Sequence, residues 1–406
     1  MTLIPRLAYT VAVFSSLLIA DASSQTTGDQ NGVFSDARRL ELIETARTLT
    51  REAFPAVLAR AQAGEVEAQI IVSRAYSAGT AVEQDLTAAA RWARTAAEKN
   101  HPMAQSILGV LYQSGSGIPR DDRQAVEWFR RAAAQGYAQG QSNLGWAYFR
   151  GNGIEPDPAE AVRWFRLAAG QGNASGQNGL GVAYVQGLGV NKDEAEARAW
   201  YRKAAEQGEL PAQRNLAQML NYGTGGPRDY AQAAVWYRKA ADQGDPGAMT
   251  DLAIAYVTGE GVRKDKREAE KLLQQASKLG HAIGSYYYAQ LQLNERHSLL
   301  VLSALDTFAL SASQGYPVAA FRLGVLHSSR LVPRPISKDD MQACRWFTIA
   351  SRLDTGEWEQ HQPDAVAEMR KELPDRLAKL RTSLGPTQAA ECDRWASEWI
   401  MARVKR

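Results

Sequence analysis

Residues 104–136 read AQSILGVLYQSGSGIPRDDRQAVEWFRRAAAQG, and this stretch decides the fold. Ala104, Leu108 and Tyr112 lie four residues apart, so on a helix they share one face. Ala104 is small enough to let a second helix come close, while Leu108 and Tyr112 fill the space between neighbours. Gly115-Ser116-Gly117 ends that helix, because glycine tolerates the left-handed backbone that turns the chain. Asp121 then offers a carboxylate to the free amides of a new helix. That second helix sets Ala125, Trp128 and Ala132 on its buried side, carries Arg130 and Arg131 toward its C-terminal dipole, and stops at Gly136. One helix, a glycine turn and a second helix form a unit that buries its apolar face only against another copy.

The copies are present. Trp92, Trp128, Trp164, Trp200 and Trp236 are spaced by 36 residues without a slip. Asp85, Asp121, Asp157, Asp193, Asp229 and Asp265 keep the same spacing, as do Gly79, Gly115, Gly151, Gly187, Gly223 and Gly259. Tyr76, Tyr112, Tyr148, Tyr184 and Tyr256 form another series, with Leu220 standing in once. Gly136, Gly172, Gly208, Gly244 and Gly280 close the second helices. Three residues after the Asp stand Gln124, Glu160, Glu196, Gln232 and Glu268, the pattern of an acidic capping box. Pro158 follows Asp157, where the first helical turn accepts proline. The Gly-x-Gly turns follow no strand, so they do not read as phosphate loops, and one Asp per loop is far from a calcium cage. The Trp series reads as core packing. The architecture is all-α: a right-handed α-solenoid of stacked helix pairs with helical caps.

These residues carry a family resemblance. The unit A/G-x-x-x-L-G/A-x-x-Y-x-x-G-x-G, followed by D-x-x-x-A-x-x-W-x-x-x-A-A-x-x-G, resembles the Sel1-like repeat, a relative of the tetratricopeptide repeat. It is clearest at 104–136 and 176–208 and extends over roughly residues 65 to 281. Exported bacterial members of that family serve as envelope scaffolds, as inhibitors of sensor kinases or as host-contacting factors. The resemblance therefore implies a non-catalytic scaffold or regulatory adaptor that binds a protein or peptide on the concave face. It also leaves open a β-lactam-recognising hydrolase, or a modulator of a peptidoglycan or polysaccharide machine. By analogy with tetratricopeptide repeats, the groove positions fall at Ser142, Trp146, Phe149 and Arg150 in one unit. The next units contribute Asn178, Gln186, Arg214, Gln218, Asn221 and Tyr222. Aromatic side chains, Arg and amides make a surface suited to anchoring partner chains.

The ends break the pattern. Residues 1–22 carry a positive start, an apolar stretch from Leu7 to Ala20 and the small-x-small Ala20-Asp21-Ala22, the zones of a cleaved signal peptide. The apolar stretch is short of the ~20 residues that span a bilayer, so no stable membrane insertion is expected after cleavage. Residues 23–34 read as a flexible linker and 35–64 as an N-terminal capping helix. Six regular repeats occupy 65–281, a degenerate one 282–316 and a divergent one 317–352, whose inter-helix loop runs from Ser328 to Lys338. Residues 353–406 form C-terminal capping helices, Pro363 to Arg381 and Pro386 to Arg403. The segment from Gly385 to Trp399 resembles the closing helix of exported Sel1-like proteins, which implies a periplasmic or secreted setting.

Composition narrows the chemistry. Lys plus Arg total 47 against 44 Asp plus Glu, a net charge of +3, too even for a phosphate-binding stripe, so nucleic acid is not an expected partner. Five histidines include no pair at metal-ligand helical spacing, and neither Ser-x-x-Lys nor Gly-x-Ser-x-Gly occurs. No catalytic residue, metal or cofactor is therefore assigned. Cys344 and Cys392, the two cysteines, read either as a disulfide or as separate buried thiols.

Overall fold

The computed structural model describes residues 36–294, 298–328 and 339–404. The expected signal peptide and linker and most of the Ser328 to Lys338 loop lie outside the described residues. Every regular element among the described residues is a helix. The chain divides into two compact units, residues up to Asp229 and residues from Tyr230.

The first unit opens with α1 (Asp36–Thr48) and α2 (Phe54–Gln62). The segment expected to be one capping helix is thus two. Thr50 Oγ1 accepts from Ala53 N at 3.2 Å in the intervening turn, and Pro55 occupies the first turn of α2, where a missing amide is harmless. Helix pairs follow in strict rhythm: α3 (Val66–Ala78) with α4 (Leu86–Glu98), then α5 (Pro102–Ser114) with α6 (Asp122–Ala134). Next come α7 (Ala138–Arg150) with α8 (Pro158–Gly170), α9 (Ala174–Gln186) with α10 (Glu194–Glu206), and finally α11 (Leu210–Tyr222). From α2 to α11 each helix packs on the next, and α5, α7 and α9 pack on one another in turn. This is an all-α repeat solenoid. Helix α1 passes over α2 and lies against α3, burying Leu42 and Ala46, with Arg38 Nε donating to Glu67 Oε1 at 2.8 Å.

The Asp series caps the second helices. Asp121 Oδ1 accepts from Arg123 N and Gln124 N at 3.0 Å, and Asp85, Asp157 and Asp193 act alike. Each such cap contributes about 1 kcal/mol. The reciprocal half of the expected capping box is not made. The Asp amide is already taken: Asp121 N donates to Tyr112 O at 2.9 Å, and Asp157 N to Tyr148 O at 3.0 Å. Glu160 turns to Arg163 instead. The turn between paired helices is thus closed by backbone, and the residue three past the cap is released to the surface.

The second correction concerns the core. Trp92, Trp128, Trp164 and Trp200 are only half-buried, while Trp236 is buried as expected. Arg131 stacks on Trp128 at 4.5 Å, Arg163 on Trp164 at 4.4 Å and Lys203 on Trp200 at 4.0 Å, so these rings shield the edge of the core under a cation. The centre belongs to the next residue: Phe129, Phe165 and Tyr201 are at most 4 % exposed. Their rings explain the small residue after the periodic Leu. A Cβ on Gly109, Gly145 or Gly181 would stand 2.5 to 2.7 Å from the ring of Phe129, Phe165 or Tyr201.

A row of buried glutamines joins successive pairs. Gln135 Nε2 donates to Gln105 Oε1 at 2.7 Å, Gln171 to Gln141 at 2.8 Å and Gln207 to Gln177 at 2.8 Å. Gln105, Gln141 and Gln177 are buried, so each bond satisfies an amide that would otherwise be left dry, at about 1 to 3 kcal/mol for an unmet group.

The second unit continues with α12 (Tyr230–Asp242), α13 (Pro246–Thr258), α14 (Lys266–Lys278), α15 (Ala282–Leu293), α16 (Ser298–Ser313) and α17 (Pro317–Ser328). It ends with α18 (Asp340–Arg352), the short α19 (Gly356–His361) and α20 (Pro363–Val404). Helices α15 and α16 still pair although the Trp, the glycine turn and the capping Asp are gone. Phe308 and Tyr316 are fully buried there, and Ser311 Oγ donates to Ala282 O at 2.7 Å. Helix α20 is broken at Gly385, φ 75° and ψ 173°, at the boundary expected between two capping helices. Trp395 and Trp399 from its second half each meet Trp346 at 5.6 Å.

Candidate partner-binding face and an N-terminal cavity

The ten groove positions all fall in the first unit, on α7, α9 and α11, but their environments differ. Ser142 and Asn178 are buried. Ser142 Oγ donates within its own helix to Gln139 O at 3.3 Å, and Asn178 Oδ1 accepts from Asn215 Nδ2 of the next repeat at 3.4 Å, so both are taken up inside the fold. Trp146 is half-buried, edge-on to Phe165 at 5.0 Å and to Phe149 at 5.7 Å, with its Nε1 donating to Ser175 Oγ at 3.1 Å. Phe149 belongs to the same cluster. Arg214, Gln218 and Asn221 are half-buried.

Three positions stand in water. Arg150, Gln186 and Tyr222 are exposed, Tyr222 to 65 %. They are 36 residues apart and each is the last residue of its helix, so the solenoid sets them in one row. The left-handed glycine after each, at φ 70°, 67° and 74°, fixes the backbone there. Arg150 lies over the Trp146 ring at 4.7 Å, a contact that holds the guanidinium in place while leaving it accessible.

Farther toward the N-terminus the same face holds a feature the sequence reading missed. A cavity of about 630 Å³ opens between α1, α3 and α5, closed off by Tyr137 and Gln139 at the entry to α7. Ile43, Ala46, Met103, Ile107, Val110 and Leu111 form its apolar walls. Among the described residues its charged groups are Arg39, Arg47 and Arg74, with no Asp, Glu or Lys in the lining. Burial holds the Arg74 guanidinium below its ordinary value; the Tyr137 phenol opposes that shift, while the like-charged Arg39 reinforces it. A signal for this site was available. Arg74 follows the periodic small residue, the register position of Trp146 and Gln218 in later repeats. What no pattern supplied was α1, which lies outside the repeat and folds over the opening.

The groups an enzyme would use are dispersed. Burial lowers His101 and His327 and raises Tyr201, and no cluster of three His, Cys, Asp or Glu side chains suited to a metal occurs among the described residues. No helix among them is long and apolar enough to cross a membrane. Cys344 and Cys392 are both buried and unbonded, their thiols in contact.

Comparison with known proteins places this geometry. The Sel1 repeat family matches at residues 66–101, 102–137, 138–173, 174–209, 210–245, 246–281 and 317–354. A protective antigen present in uropathogenic Escherichia coli strains, displaying an SLR fold, is 35% identical with a TM-score of 0.59, over 85% of this chain and 71% of that one. A Sel1 repeat protein from Oxalobacter formigenes is 31% identical with a TM-score of 0.51, over 58% of this chain and 95% of that one. No curated protein matches the chain.

Proposed function

The chain belongs to the Sel1 repeat family, and on that premise we propose that it is an exported, non-catalytic interaction protein whose first-helix face holds a protein or peptide partner. The row of Arg150, Gln186 and Tyr222 carries this reading. The backbone repeats while the side chains at that register position differ, from guanidinium to amide to phenol. Each is exposed at the end of its helix, beyond the core. An exposed Tyr and an Arg held on a rigid frame are the side chains that most often anchor partner chains. Repeat surfaces of this kind bind extended segments, because successive helices offer contacts at even intervals.

Export is supported by the charged, apolar and small-residue zones of residues 1–22. The Escherichia coli relative is a protective antigen, a molecule that an immune system encounters, which fits a location outside the cytoplasm.

The test is capture of the partner from an extract of the source cells, comparing wild type with an Arg150→Glu/Tyr222→Ala variant of unchanged circular dichroism. Anchors of this type contribute about 2 kcal/mol or more each, so the double variant is expected to bind about a thousandfold more weakly. Equal capture by both proteins would remove this face from the interaction.

A further inference from the structure

The N-terminal cavity lies apart from the Arg150 to Tyr222 row, and its chemistry leads elsewhere. We propose that it is a binding site for an apolar group that carries one carboxylate, with Arg74 as the residue that takes the charge. Among the described residues three arginines and no acidic side chain line the space, and Arg47 also reaches Glu44 at 3.8 Å. A guanidinium does not shed its proton in a protein, so Arg74, half-buried in the wall of this cavity, favours an anion beside it. The charged or titratable groups that reach Arg74 are the Tyr137 phenol and Arg39, and Arg39 has the same sign.

The repeat does not require this arginine. The equivalent positions in the next four repeats hold Val110, Trp146, Val182 and Gln218, none of them charged. Helix α1 adds Arg39 and Arg47 at the same opening, together with Ile43, and α5 supplies Ile107 and Val110 as the facing wall. A volume of about 630 Å³ falls within the usual range of small-ligand sites. The planar guanidinium fork matches a planar carboxylate through two parallel hydrogen bonds, and the apolar wall accepts the body behind it. Two sources offer this chemistry: a free organic acid, or the last apolar residue of a partner chain with its terminal carboxylate.

Saturation-transfer NMR on the full chain with phenylacetate and with phenylacetamide tests the site. The acid is expected to bind at least about tenfold better than the amide, the size of one charge-assisted hydrogen bond. Arg74→Met should abolish that preference, and Val110→Glu, which places a carboxylate inside the cavity, should abolish it independently should the first variant fold poorly. Arg150→Glu should leave it intact, which separates this site from the proposed partner face. A pool of random hexapeptides ending in Leu or Phe, offered as free acids and as amides, then identifies the source. Selective retention of the free acids assigns the site to chain ends, and retention of neither form, with phenylacetate still bound, assigns it to free acids. Equal binding of acid and amide, absence of binding, or a preference that survives in both cavity variants would overturn the proposal.

Discussion

Gly115 and Gly117 have nearly the same backbone conformation, φ 72° and 71°, yet they answer different demands. A Cβ on Gly115 would meet the Arg120 side chain at 3.2 Å, whereas one on Gly117 would sit 1.9 Å from the carbonyl oxygen of Leu86, in the preceding repeat. The first glycine is needed for its torsion angle alone; the second is needed also because a helix start passes against it. Gly115→Ala is therefore expected to destabilise by about 1 kcal/mol, and Gly117→Ala by more than about 3 kcal/mol, in urea unfolding. Glu209 shows a different competition. It begins α11, where the helix dipole and free amides favour an ionised carboxylate, yet burial pushes its carboxyl up to about 7. Part of the side chain reaches the surface, but the crowding around the carboxyl decides its solvation. A folded value above the unfolded 4.5 means the folded state binds the proton more tightly. Its contribution is complete below 4.5 and is lost as pH rises through about 7. Melting temperature should thus fall between about pH 5 and about pH 8, and Glu209→Gln should reduce that fall, by an amount on the order of 2 kcal/mol.

At the scale of elements, the helices of the regular repeats were legible because their ends are chemically marked: an Asp at the second-helix start, a left-handed glycine at the first-helix end. The residues between were misread where two neighbours competed for one role. Trp128 is the larger and rarer residue, but the longer indole reaches past the packing plane to the surface while Phe129 fills the gap beneath. The groove positions were legible as register and not as exposure, since Asn178 and Trp146 are drawn into contacts with adjacent helices that offsets along one helix do not encode. The same limit hid the cavity, which depends on α1 skipping α2. The cysteines show what tertiary placement adds. Cys344 on α18 and Cys392 on α20 touch across two helices, and burial, then Cys344, pushes the Cys392 thiol up to about 12. Both sulfurs are shut off from solvent, so the reduced pair should react slowly with Ellman's reagent until unfolded. We propose that export joins them. Closing the intervening loop would stabilise the unit by about 4 kcal/mol. Wild-type protein folded without reductant should then lose stability on adding dithiothreitol, while Cys392→Ser should show no such response; identical behaviour of the two proteins would leave the thiols as packing only.

For the whole molecule, the governing fact is that equivalent contacts recur at equal spacing. Gly140 rests against Ala132, with a built Cβ only 2.6 Å away, and Gly176 rests against Ala168 in the same manner at 2.7 Å. Removing residues 138–173 brings Gly176 to Ala132, one native contact in place of another. The shortened chain is expected to keep its helical circular dichroism per residue and to melt only a few degrees lower, because each repeat is stabilised chiefly by its neighbours. Removing 138–160 instead, which leaves an unmatched half-unit, should produce a chain that does not fold cooperatively.

The pressing of each second glycine on the helix start before it has a consequence for inheritance. Gly117 on Leu86, Gly153 on Asp122, Gly189 on Pro158 and Gly225 on Glu194 are contacts with backbone, so they are indifferent to which side chain stands at the helix start. Any repeat can therefore follow any other. When DNA copying slips or strands exchange between two repeats of the gene, a product that gains or loses whole repeats meets the same junction wherever the exchange falls. The row ending in Arg150, Gln186 and Tyr222 is then a string whose letters can be reordered or multiplied in a single genetic step, and new partner surfaces arise without any new way of folding.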